Sequence, residues 1–135
     1  MRAINTVVER DIQEIISDSQ IFNAFRGKLI LVTGATGLIG SMVARSLIAA
    51  NDAYHLSLRV ICHVRNIEKA HHMFSDIVDS DILTFVDTPL ESLDIACDYI
   101  MHGAAPTKSK YFVEHPVDTI RTSIHGTERM LELGK

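Results

Sequence analysis

The sequence has no tryptophan, only two cysteines, three prolines and 6% aromatic residues. Two cysteines, Cys62 and Cys97, cannot form a disulfide scaffold. Basic residues are also in short supply. Lys and Arg number 13 against 17 Asp and Glu, for a net charge of −4. That balance argues against a protein that grips nucleic acid by neutralising its phosphates. Long apolar runs are missing too. The longest uncharged stretch, 29–44, contains three glycines and two threonines. It falls short of the roughly 18–20 apolar residues that a membrane span needs. Near the N-terminus, Glu9, Asp11 and Glu14 leave no secretory apolar core. The expected setting is therefore the cytoplasm, with both thiols reduced. The seven histidines include no His-Glu-x-x-His, and Cys-x-x-Cys is absent, so no metal site is expected.

What remains is 135 residues, 47% of them apolar, enough for one globular domain. Ile4, Val7, Val8, Ile12, Ile15 and Ile16 recur at helical spacing and predict an amphipathic helix. Phe22 and Phe25 then lead into an Arg26-Gly27-Lys28 turn. Residues 1–27 thus form an N-terminal helix and turn, followed by a main unit at 28–135. The helix either packs on that unit or serves as a pairing arm. Leu29–Val32 reads as a buried strand and 38–50 as a helix, with Leu38, Ile39, Val43, Leu47 and Ile48 on its inner stripe. Strands follow at 59–64, 82–86 and 99–102, and helices at 67–74 and 117–133. Such alternation predicts parallel strands joined by right-handed crossovers.

The strongest chemical signal is Thr33-Gly34-Ala35-Thr36-Gly37-Leu38-Ile39-Gly40, set between a strand and a helix. Gly34 permits a tight turn, Gly37 lets a pyrophosphate approach the backbone, and Gly40 lets the helix pack closely. The helix start offers amide N–H groups and a positive dipole end to the anion. The loop has no lysine, which excludes a Walker A site. The fold expected is an α/β Rossmann-type doubly wound parallel sheet, incomplete and carrying an extra N-terminal helix. The cofactor is NADP or NAD. The second strand ends His63-Val64-Arg65-Asn66 without a carboxylate for the ribose hydroxyls, and Arg65 suits a 2′-phosphate. This favours NADP, with Glu68 nearby keeping NAD in play.

The Gly-x-x-Gly-x-x-Gly spacing resembles the extended short-chain dehydrogenases/reductases, and the likeness runs from Lys28 to Lys135. Val86-Asp87 is similar to that family's adenine-contacting strand end. Asp98-Tyr99-Ile100-Met101-His102-Gly103-Ala104-Ala105 resembles its Asp-x-(apolar)₂-His-x-Ala-Ala stretch. The loop 106–116 and Thr122-Ser123-Ile124-His125-Gly126-Thr127 resemble the nucleotide-sugar epimerase/dehydratase branch, with Ser123 where the family has asparagine. The resemblance implies a cofactor site of Gly34, Thr36, Gly37, Leu38, Ile39, Gly40, Arg65, Asp87, Thr88, His102, Gly103, Ala104 and Ala105. It puts Thr107 near a nucleotide-sugar substrate. It implies transient oxidation of a sugar hydroxyl by the bound cofactor.

The family's proton-transfer pair, a tyrosine with lysine four residues on, is missing. Tyr54 is followed at that distance by Leu58, Tyr99 by Gly103 and Tyr111 by His115. The expectation is the N-terminal, NAD(P)-binding part of a longer enzyme, not catalytic alone. The rival expectation is a non-catalytic NAD(P)-binding or regulatory module that pairs as a homodimer through the N-terminal helix.

Overall fold

A computed structural model describes residues 5–77 and 81–135. Ile4, the first residue of the predicted N-terminal stripe, lies outside them. The elements run α1 (Thr6–Ile15), α2 (Ser19–Asn23), β1 (Leu29–Thr33), α3 (Leu38–Tyr54), β2 (Arg59–His63) and α4 (Ile67–Met73). Then come β3 (Leu83–Val86), a 3₁₀ turn (Leu90–Ser92), β4 (Tyr99–His102), α5 (Ser109–Glu114) and α6 (Pro116–Leu133). The strands form one parallel sheet in the order β3-β2-β1-β4. The chain steps outward from β1 to β3, then crosses to the other side of β1 for β4. The strand order therefore reverses between β1 and β4, which opens a crevice at their carboxyl ends.

Side chains alternate across the central strands, and each face builds its own core. On one face Ile30 and Val32 of β1 and Val60 and Cys62 of β2 meet Ala44, Leu47 and Ile48 of α3, together with Ala70 and Phe74. Ile12, Ile16 and Phe22 extend this core from α1 and α2. From the predicted N-terminal stripe, Ile12 and Ile16 are thus buried and Val8 partly so, whereas Val7 and Ile15 stay 51% and 47% exposed. The Tyr54 hydroxyl also donates to the Ile16 carbonyl. On the other face Leu31, Ile61 and Ile100 meet Leu90, Leu93 and Met130. Gly126 of α6 sits where a Cβ would strike Leu90 at 2.5 Å, so the helix lies directly on the 3₁₀ turn.

Three readings of the sequence need correction. Leu38 and Ile39 are not on the inner stripe of α3. They are 87% and 77% exposed, since they border an open apolar groove rather than the packed core. Loop 106–116 contains the short helix α5, which buries no residue and has no side-chain cap, so neither periodicity nor a capping residue marks it. The segment after α1 contains the second helix α2, whose N-cap is Asp18.

Candidate functional site

The glycine turn sits at the β1 end of the crevice. Gly34 has φ +68, and a Cβ there would stand 2.6 Å from the Gly103 carbonyl oxygen. Glycine thus allows the β1–α3 turn to pass against the β4 end. Gly40 is tighter still, with a built Cβ 2.3 Å from the Gly34 carbonyl oxygen. At Gly37 the nearest atom is 3.2 Å away, so its missing side chain leaves room rather than relieving a hard clash.

Gly37 is the N-cap of α3 and provides no side-chain hydrogen bond. Asn5, Asp18 and Asn66 do cap their helices, each accepting a backbone N–H. The Ser41 amide donates to the Gly37 carbonyl at 3.0 Å. The amides of Leu38, Ile39 and Gly40 precede it in the first turn, where a helix has no internal acceptor for its N–H groups. A start of this kind suits an anion.

A cleft of about 320 Å³ opens beside this turn. Of the residues expected at the site, Gly34, Thr36, Arg65, Asp87, Thr88, Ala104 and Ala105 line it. Gly37, Leu38, Ile39, Gly40, His102, Gly103 and Thr107 do not. The side chains of Leu38 and Ile39 instead line a separate apolar groove with Phe22, Phe25, Met42 and Met101. If these two serve an anion, they do so through their main chain. Thr107 is exposed and lies off the cleft wall.

Sequence reasoning missed His63, Pro89, Glu91 and Thr122 as lining residues, whereas Tyr111, from the loop after the fourth strand that the sequence marks as able to face a ligand, does line the cleft. His63 had a usable signal, since it shares its strand end with Arg65. It is 6% exposed, and its Nε2 donates to the Thr88 carbonyl at 2.7 Å, tying the β2 end to the β3 end. Thr122 gave no such signal, because only the docking of α6 brings it there. The charged groups on the wall are Arg65 opposed by Asp87 and Glu91.

The β1 and β4 ends are tied by polar contacts. Thr33 Oγ1 lies 2.7 Å from His102 Nδ1 and accepts from the amides of Gly103 and Ala104 at 3.1 and 3.2 Å. His102 Nε2 lies 3.2 Å from Thr127 Oγ1 on α6. Burial, followed by the nearby His63, lowers the His102 pKa below its ordinary 6.5. At the other end of the sheet Asp98 accepts the Leu29 amide at 2.8 Å and pairs with Lys28.

Burial alone pushes the Cys62 thiol up to about 12, so it is no nucleophile at neutral pH. Burial, then Asp98, also raises Cys97. Among the described residues no group of three or more metal-ligating side chains is gathered. No helix among them is long and apolar enough to cross a membrane.

The parallel sheet and its reversal point define a Rossmann-like α/β fold. The profile of the NAD dependent epimerase/dehydratase family matches residues 30–135. The chain belongs to that family. It is similar to dTDP-glucose 4,6-dehydratase of Streptomyces antibioticus, 31% identical over 109 residues, covering 76% of this chain and 32% of the relative. It is also similar to an uncharacterized membrane protein of Methanocaldococcus jannaschii, 28% identical over 120 residues, covering 84% of this chain and 34% of the relative. Among solved structures, Pen from Bacillus thuringiensis superposes with a TM-score of 0.68 at 19% identity, over 81% of this chain and 34% of that one. That likeness shows the fold. The chain spans about a third of the length of these relatives.

Proposed function

We propose that this chain is the NAD(P)-binding portion of a nucleotide-sugar epimerase/dehydratase. The observation that carries the proposal is the uncapped start of α3, reached through a glycine turn at the β1–β4 reversal point. A Cβ at Gly34 or Gly40 would close that turn, and the residues around it fit a dinucleotide diphosphate. Bound nicotinamide would take hydride from a sugar carbinol carbon and return it later. The protein's part is to hold and orient the cofactor. The amides of α3 receive the pyrophosphate, Asp87 meets the adenine, and Ala104 and Ala105 flank the chain of the cofactor. The exposed Arg65 faces the adenosine ribose, where its planar fork favours a 2′-phosphate and hence NADP. No proton-transfer residue is assigned, since no tyrosine has lysine four residues on. The chain alone is therefore proposed to bind the cofactor without turning over substrate. Thr107 stays a substrate-side position only by resemblance.

The proposed setting is cytoplasmic, and cell fractionation checks it. A homodimer belongs to the same proposal, supported by an exposed apolar stripe on α6 rather than by α1. Residues 1–27 are proposed as an N-terminal extension to the 28–135 unit, docked on it through Ile12, Ile16 and Phe22.

Titration calorimetry tests the cofactor assignment. NADP is expected to bind about tenfold more tightly than NAD, the value of one charge-assisted contact of about 1.4 kcal/mol. Arg65→Asp should reverse the order. Absence of heat with either dinucleotide overturns the proposal, and equal affinities overturn the NADP preference.

A further inference from the structure

β1 and β4 end side by side, with Thr33 in register with His102. Both residues are polar at a point where the sheet gives way to the cleft. The contacts of Thr33 determine the protonation of its neighbour. A hydroxyl has two acceptor lone pairs and one proton to donate. Thr33 Oγ1 receives the Ala104 amide, and also the Gly103 amide, which it shares with the Thr33 carbonyl. Its acceptor capacity is filled, so the short 2.7 Å contact to His102 Nδ1 must be a donation from Thr33. Nδ1 is then bare.

The opposite side of the ring agrees. Thr127 Oγ1 donates its own proton to the Ser123 carbonyl at 2.6 Å. It can therefore accept from His102 Nε2 at 3.2 Å, which requires Nε2–H. The chain of bonds runs in one direction, Thr33 to His102 to Thr127 to Ser123. It joins β1, β4 and α6 at the start of the 103–105 turn, whose Ala104 and Ala105 line the cleft.

We propose that His102 is a positioning residue that acts only as the neutral Nε2–H tautomer, fastening the 103–105 turn for the dinucleotide, and that protonation of its ring releases that turn. The second half rests on the cofactor site proposed above; the first does not. Protonation places an N–H at Nδ1 against an oxygen whose lone pairs are already taken, so the Thr33 contact is lost. The groups packed around the ring sharpen the effect. β2 contributes His63, the titratable neighbour that acts on the ring, while β1 contributes Thr33 and α6 contributes Thr127, neither of which titrates near neutrality. No carboxylate among these contacts would stabilise the imidazolium. The sign follows from the lowered pKa. The unfolded chain takes up the proton near 6.5, before the folded one does, so the held turn is fully favoured above that pH and progressively disfavoured below it.

Two measurements on the full chain test this. Nitrogen-15 NMR of histidine-labelled protein at pH 7.5 should show His102 with a protonated Nε2 and a bare Nδ1. An Nδ1–H tautomer, or a mixture of the two, overturns the relay. The second measurement is NADP affinity at pH 7.5 and 5.5 for the wild type, His102→Asn and His102→Ala. Asparagine keeps an acceptor oxygen near the Nδ1 position and does not titrate in this range. The wild type should weaken at the lower pH and by clearly more than His102→Asn, which should change less than about twofold, and His102→Ala should bind weakly at both. Parallel acid loss in the wild type and His102→Asn overturns the switch. If nothing binds at pH 7.5, the cofactor site itself fails, and the NMR spectrum still decides the tautomer.

Discussion

Three glycines of one motif have three different surroundings. Gly34 holds a left-handed φ and touches the β4 end, Gly40 touches the Gly34 backbone, and Gly37 meets only a mild contact. Their substitutions should therefore separate fold from function. Gly34→Ala should lower unfolding free energy by at least about 2 kcal/mol, from backbone strain and a clash with main chain that cannot rotate away. Gly37→Ala should cost about 1 kcal/mol or less, since alanine is only a poor N-cap, yet weaken NADP binding about tenfold or more. Urea denaturation and calorimetry on both variants check this. Equal stability losses would show that Gly37 is a packing residue and not an open cradle.

At the level of elements, α3 is tied to the segment after α4 by one arginine. Arg45 forms a two-pronged pair with Asp76 at 2.6 and 2.9 Å, donates to the Met73 carbonyl at 2.7 Å, and lies 5.2 Å from the Phe74 ring centre. Both side chains are mostly shielded, at 16% and 17% exposure, so water screens the pair less than an ordinary surface bridge. The Arg45 hydrogen bonds hold the Asp76 carboxyl below its usual 3.8. That stabilisation is present above 3.8 and disappears as pH falls through the lowered value. Arg45→Ala should destabilise by about 2 kcal/mol at pH 7. The difference should shrink, but not vanish, in acid below the Asp76 pKa, because the Met73 and Phe74 contacts do not titrate. Denaturation curves at neutral and strongly acid pH measure it.

On the scale of the whole molecule, the two apolar surfaces of the helices have different fates. The N-terminal stripe is buried at Ile12 and Ile16 and open at Val7 and Ile15. On α6, Val117, Ile120, Ile124 and Leu131 follow steps of three, four and seven residues, which keep them on one face, and are 57% to 69% exposed. Arg121 and Glu128 flank this stripe, and neither takes an ion partner among the pairs formed by the described residues. An antiparallel copy of the same helix would bring the arginine of each protomer towards the glutamate of the other, as a two-fold interface requires. Sedimentation of the wild type should show a dimer, and Ile120→Glu should yield a monomer. A wild-type monomer across the accessible concentration range removes the homodimer from the proposal.

The order of elements and the glycine turn were legible in the sequence because both are local. Buried strands such as Leu29–Thr33 show as apolar runs between turn signals, and a position that combines positive φ with close backbone approach, as at Gly34, favours glycine strongly. Most errors were also local. Leu38 and Ile39 fit the α3 periodicity, yet they border an open apolar groove instead of the core. Tertiary structure alone decided how the crevice is walled. Thr122 comes from α6, His63 from β2 and Glu91 from the 3₁₀ turn, residues far apart in the chain. Their meeting depends on the 3-2-1-4 strand order and on α6 crossing the 3₁₀ turn at Gly126, long-range packing that no residue's immediate neighbours encode.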